Sequence, residues 1–101
     1  MSLPFYLYIL ECADCTYYIG HTDNLDARMD QHDVGTANSY TNTRRPVRLI
    51  FAQEFETRYD ALTAERRIKG WSRAKKQAYM AGDWNEIRRL ARGGDRPRPA
   101  R

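Results

Sequence analysis

Leu7-Tyr8-Ile9 and Tyr18-Ile19-Gly20, two short runs near the start of the chain, read as paired β-strands, and everything downstream is placed by how they pair. A strand presents alternate side chains to opposite faces, so Phe5, Leu7 and Ile9 are expected on one face, with Tyr6, Tyr8 and Leu10 on the other. Ala13, Asp14 and Thr16 interrupt the apolar runs and suggest a hairpin. A three-residue loop from Cys12 to Asp14 would set Tyr8 directly opposite Tyr18. A loop one residue longer or shorter would separate the two phenols, because side chains alternate with period two. The simplest reading of such a pair is sheet stabilisation by cross-strand aromatic contact.

The following segment carries more chemistry. Thr22 or Asp23 can cap a helix from about Asn24 to Asp33, on which Arg28, Met29 and His32 share a stripe with Leu25. Leu25 and Met29 mark the inward side, so Arg28 and His32 point inward as well. An inward arginine needs either a buried ionic partner or a cleft that receives an anion. It can also snorkel past the core, with the histidine a satisfied partner.

Residues 35–45 are polar and read as a loop that ends in Arg44-Arg45, ahead of Pro46. A third strand is expected from Val47 to Phe55, with Val47, Leu49 and Phe51 alternating against Arg48, Ile50 and Ala52. A second helix starts near Thr57, where Thr57 and Asp60 have capping-box-like spacing. Ala61, Ala64, Ile68 and Trp71 gather on one side of it, with Glu65 at the edge of that side. Glu65 is either a surface partner of Lys69, four residues on, or a carboxylate available to a hard divalent cation. Ser72 can cap a third helix through about Ala81, and a short fourth can run from Trp84 to Arg92. The segment 93–101, with three arginines and two prolines, is expected to be a disordered basic tail after one domain spanning 1–92.

A chain of 101 residues suits one modest core, and its net charge of +4 favours an acidic partner, nucleic acid before membrane. No apolar run approaches the roughly 20 residues that span a bilayer. Met-Ser-Leu-Pro lacks the pattern of a signal peptide, so a cytoplasmic location is the expectation. Cys12 and Cys15 have a spacing that invites a zinc or redox reading. Neither His21 nor His32 completes a usual finger spacing, and the pair flanks a turn rather than opening a helix, so incidental turn cysteines are the preferred reading.

Taken in order, Tyr8, Tyr18-Ile19-Gly20, Arg28, His32 and a distant helical Glu65 resemble the GIY-YIG nuclease domain in its small stand-alone form. Supporting stretches are Cys12-Ala13-Asp14, Ser39-Tyr40-Thr41, Arg44-Arg45-Pro46-Val47 and Ile68-Lys69-Gly70-Trp71-Ser72-Arg73-Ala74-Lys75-Lys76. The match runs from about residue 5 to 80. Leu7 stands where the family name has glycine, and the asparagine that some family nucleases carry after the glutamate helix has no clear counterpart, with Gln77 in that region and Asn85 later.

The resemblance implies an α/β fold, a small three-stranded antiparallel sheet flanked by helices in the order ββαβαα. It also implies a metal-dependent endonuclease acting on DNA phosphodiesters, in repair or recombination, with Mg2+ or Mn2+ as cofactor. On that reading Tyr8, Tyr18, Arg28, His32 and Glu65 are catalytic, and Glu65 is the metal ligand. Tyr40, Arg44, Arg45, Lys69, Arg73, Lys75 and Lys76 are the candidate nucleic-acid contacts. A tyrosine base would need nearby positive charge, because a free phenol has a pKa near 10. His32 can instead accept or relay the proton. The competing expectation is a nucleic-acid-binding module of the same fold that cleaves nothing; a protein-interaction domain is the more distant one.

Overall fold

A computed structural model describes residues 4–91. Strand β1 (Phe5–Glu11) pairs antiparallel with β2 (Tyr17–Thr22) on one side and with β3 (Arg48–Phe55) on the other, giving the order β2-β1-β3. Helix α1 (Leu25–Val34) and a one-turn helix α2 (Ser39–Asn42) lie between β2 and β3, and α3 (Arg58–Lys69) follows the sheet. Two further helices, α4 (Arg73–Ala81) and α5 (Trp84–Arg89), belong to a second compact unit that begins at Gly70. The three-stranded antiparallel sheet with flanking helices is the expected fold. The basic tail expected over 93–101 lies outside the described residues.

The hairpin differs from expectation in a way that keeps its main consequence. Glu11 pairs with Tyr17, so the connection spans five residues, 12–16, and Tyr8 faces Gly20 while Leu10 faces Tyr18. The turn is held from within: Cys12 N–H donates to Thr16 O, Cys15 adopts φ 69°, and Asp14 accepts from both the backbone and the hydroxyl of Thr16. Lengthening the expected loop by two residues preserves parity. Tyr8 and Tyr18 therefore stay on one face as a diagonal pair rather than a direct one.

Because β1 is the central strand, both of its faces are covered. Leu7, Tyr8, Ile9 and Leu10 are all buried, which replaces the expected single core face. Each such apolar side chain contributes about 1.5–3 kcal/mol relative to exposure. Helix α3 packs against all three strands and buries Ala61, Glu65 and Ile68. Strand β3 starts one residue later than expected, and its pairing slips by one between Ile9–Phe51 and Leu10–Leu49. The bulge at Ile50 breaks the alternation, so Leu49 is 40% exposed instead of inward.

Helix starts follow local chemistry. Asn24, not Thr22 or Asp23, caps α1 by accepting from Ala27 N–H, while Thr22 accepts from Asn24 N–H. Thr57 Oγ1 accepts from Asp60 N–H at the start of α3, and Ser72 Oγ from Lys75 N–H at the start of α4. The segment 35–45 is not all loop: Asn38 caps α2, and Gly35 ends α1 at φ 84°. In the second unit Tyr79 makes edge-on contacts with Trp71 and Trp84. No helix among the described residues is long and apolar enough to cross a membrane.

Candidate active-site cleft

Strand alternation sends Tyr8 and Tyr18 to the same face of the sheet, where α1 supplies His32 against both rings. The His32 ring centroid is 5.7 Å from that of Tyr8 and 5.4 Å from that of Tyr18, with the two phenols 6.2 Å apart. The Tyr8 ring lies across Gly20, so a Cβ there would sit 2.6 Å from the Tyr8 hydroxyl. Only glycine leaves room for the phenol, which is a steric reason for Gly20 in the second strand.

His32 is fully enclosed, and both ring nitrogens are engaged: Nε2 with Tyr8 Oη at 2.9 Å, and Nδ1 with Thr41 Oγ1 at 2.9 Å. Burial, reinforced by the Arg28 cation, holds the imidazole below its ordinary pKa. Burial, and next the neighbouring Tyr18, push the Tyr8 phenol well above its ordinary range, while Arg28 pulls the other way. At neutral pH this pair is uncharged.

The second part of the site is ionic. Glu65, on α3, is buried, and Lys69 Nζ donates to its Oε2 at 2.8 Å while Oε1 meets His21 Nδ1. Hydrogen bonding to Glu65 raises the Lys69 pKa. The surface-pair reading of Glu65 with Lys69 thus describes one of its two oxygens. Arg28 is half-buried; its backbone N–H donates to Asn24 O, while its guanidinium makes no hydrogen bond or ion pair among the described residues.

Tyr8, Tyr18, Gly20, His21, Arg28, Arg58 and Glu65 together line a cleft of about 220 Å³ at the edge strand β2. A larger hollow of about 410 Å³, bounded by Pro4, Glu54, Phe55, Glu56 and Thr57, gathers no comparable set of phenol, cation and carboxylate. Four of the five expected catalytic residues line the cleft, and the fifth, His32, is bonded behind Tyr8.

The expected nucleic-acid contacts are carried by both units. Tyr40 extends the aromatic row, 5.9 Å from Tyr18, with the Arg44 guanidinium 3.9 Å over its ring. Arg44 Nε also donates to Asp14 at 3.1 Å, and Arg45 donates to the carbonyls of Asn42 and Asp33, so both arginines secure their own loop. Arg73, Lys75 and Lys76 are carried by α4 of the second unit, where Lys75 Nζ lies 4.4 Å over Trp71. Burial, then Arg73, lower the Lys76 pKa.

His21, Thr41, Asn38 and Arg58 were not among the expected catalytic or nucleic-acid-binding residues, although Thr41 falls in one of the stretches that support the resemblance. His21 follows Gly20 directly and was legible only as a weak zinc candidate. Arg58 is a second cation of the cleft, 3.6 Å from Asp23 and stacked 4.7 Å over Phe5. Cys12 is buried and Cys15 exposed, neither in a disulfide, and no group of three metal-binding side chains occurs among the described residues.

Comparison with known proteins shows the family. The family model of the GIY-YIG catalytic domain matches residues 4–78, and the chain belongs to that family. A UPF0213 protein of Natronomonas pharaonis is 40% identical, covering 82% of this chain and 98% of the relative. One of Pediococcus pentosaceus is 42% identical, covering 79% and 88%. Among solved structures, the solution structure of the E. faecalis protein EF2693 superposes with a TM-score of 0.58 at 34% identity, covering 80% of this chain and 86% of that one. The UPF0213 protein BH0048 of Bacillus halodurans gives 0.52 at 36% identity, covering 77% and 83%. Membership makes this a nuclease-family domain, with nucleic acid as the implied substrate class.

Proposed function

We propose that the protein is a divalent-metal-dependent endonuclease that hydrolyses DNA phosphodiesters, with Tyr8, Tyr18, Arg28, His32 and Glu65 as its catalytic set. One observation carries the reading: a phenol hydrogen-bonded to an enclosed histidine opens into the same cleft as a guanidinium without an ion-pair partner among the described residues and a buried carboxylate. Arg28 then has a scissile phosphate as its natural partner, offering planar donors to the non-bridging oxygens.

Attack requires a water that loses its proton. That proton passes to Tyr8 Oη as the Tyr8 proton moves to His32 Nε2, so no phenolate need persist. The imidazolium formed is disfavoured by burial and by Arg28; a phosphate bound at Arg28 offsets that repulsion. Tyr18, edge-on to His32, bounds the water's position.

Glu65 fits a hard cation of the Mg2+ or Mn2+ type, which accepts one carboxylate and takes its other ligands from water and phosphate. Such an ion would neutralise charge on the phosphate and the leaving oxygen. Binding it requires Glu65 to release His21 or Lys69 from one oxygen. That same occupancy favours the second reading, a nucleic-acid-binding module without cleavage. Tyr40, Arg44, Arg45, Lys69, Arg73, Lys75 and Lys76 remain the proposed strand contacts, and the cytoplasm is the compartment we assign to it, where cysteines such as Cys12 and Cys15 stay reduced.

The test is nicking of branched, nicked and single-stranded DNA with Mg2+ or Mn2+. Wild-type protein is expected to yield new termini, and purified Arg28→Ala and Glu65→Ala to yield none. Salt-sensitive binding without new termini from wild type under any condition would transfer the assignment to the binding module.

A further inference from the structure

We infer that Thr41, held by Asn38, is a positioning residue that fixes His32 as the Nδ1–H tautomer and so leaves Nε2 bare toward Tyr8. The inference rests on the proposed role of the Tyr8–His32 pair and adds what orients it.

The chain of contacts begins at a group with only one possible polarity. Thr41 N–H can only donate, and its partner is the Asn38 side chain at 2.9 Å, so the amide atom there is the carbonyl oxygen. That oxygen lies 3.1 Å from Thr41 Oγ1, which donates its single proton to it. With its proton committed, Thr41 Oγ1 can only accept, and His32 Nδ1, 2.9 Å away, must carry the hydrogen. The neutral imidazole has one N–H, so Nε2 is an acceptor facing Tyr8 Oη at 2.9 Å. Tyr8 then donates to His32, with Tyr18 as the other hydrogen-bonding neighbour of its hydroxyl on the cleft side.

Burial gives this order its force. His32 and Thr41 are both fully enclosed, so water cannot substitute for a missing partner. The one-turn helix α2 is what brings Asn38 and Thr41 to the same end of the imidazole, with Asn38 serving at once as helix cap and as acceptor for the hydroxyl. The opposite tautomer would place an N–H against Tyr8 Oη and block transfer in that direction.

Two-bond 1H–15N correlation spectra of the His32 ring in full-length protein decide the matter without any substitution. In wild type, above the His32 pKa, the proton is expected on Nδ1; a proton found on Nε2 overturns the inference. Thr41→Val, which keeps the shape but removes the acceptor, should shift the tautomer ratio at least about threefold toward Nε2–H, and Thr41→Ser should retain the wild-type ratio. A folded Thr41→Val with an unchanged ratio also overturns it. In the nicking assay Thr41→Val should lower kcat at least about tenfold, with Thr41→Ser within about threefold of wild type. Wild-type protein that shows the Nδ1–H form yet cleaves nothing supports the lock and removes the nuclease reading, so the two fail separately.

Discussion

The two halves of the cleft are built on opposite electrostatic plans. On one side Tyr8, His32 and Thr41, all enclosed, and the half-buried Asn38 form a neutral series of hydrogen bonds. On the other, Glu65 is held by His21 and Lys69, with Arg28 and Arg58 nearby, in a cluster whose charges reach solvent. A buried neutral chain has few alternatives once its donors and acceptors are matched, because any break leaves a polar group unpaired. An ion pair with one exposed partner, as Lys69 is to the buried Glu65, exchanges that partner at a smaller cost. The fixed half suits proton movement, and the exchangeable half suits the arrival and departure of a cation and a phosphate.

Substitutions can break this contrast. Glu65→Gln removes the charge from the exchangeable half with little change in shape, and cleavage should fall at least about a hundredfold while DNA binding in low salt persists. Parallel nicking and filter-binding assays check this; cleavage within a few-fold of wild type would remove Glu65 from the chemistry.

Gly20→Ala attacks the fixed half through sterics. The added methyl meets the Tyr8 ring and hydroxyl, and the protein should lose about 1–3 kcal/mol in urea unfolding. Unchanged stability would mean that the Tyr8 ring moves aside freely, against its enclosure.

Acid should expose the same half without mutation. His32, faced by Tyr8, Arg28 and Asp33, has a folded pKa below the ordinary ~6.5. Below about pH 6.5 the unfolded chain therefore binds a proton that the folded protein refuses. Stability should decline as pH falls from there until the folded pKa is passed. Tyr8, with its pKa raised, acts in the opposite sense: above about pH 10 the unfolded phenol ionises first, and stability falls as pH rises. Urea midpoints across this range are expected to lose part of the acid slope in His32→Gln; identical slopes would refute the assignment.

The smallest effect belongs to the exchangeable half. Lys69→Gln cuts one contact to Glu65 at a half-exposed ammonium, and unfolding free energy should change by no more than about 0.5 kcal/mol. A loss above about 2 kcal/mol would show the ionic half to be as rigid as the neutral one.

Particular residues show how far the sequence reaches. The common face of Tyr8 and Tyr18 was legible because alternation by two survives a loop of either three or five residues; the pairing partner was not, because Asp14 and Thr16 organise a longer turn. Arg28 and His32 on one helical stripe followed from periodicity. That His32, rather than Leu25 or Met29, would be the buried residue of α1 did not follow, because its burial depends on Tyr8 and Thr41 arriving from elsewhere. Leu49 was misplaced because a bulge is a property of two strands, not of one.

The amino-acid order by itself determined the strands, the helix caps at Thr57 and Ser72, and the family, since each rests on period, local hydrogen bonding or motif spacing. Only the tertiary structure decided that Glu65 meets His21 across 44 positions and that Asn38 and Thr41 close on His32. Such contacts join side chains whose separation along the chain carries no periodic signal, so they exist only once sheet, helix and turn have been brought together by burial.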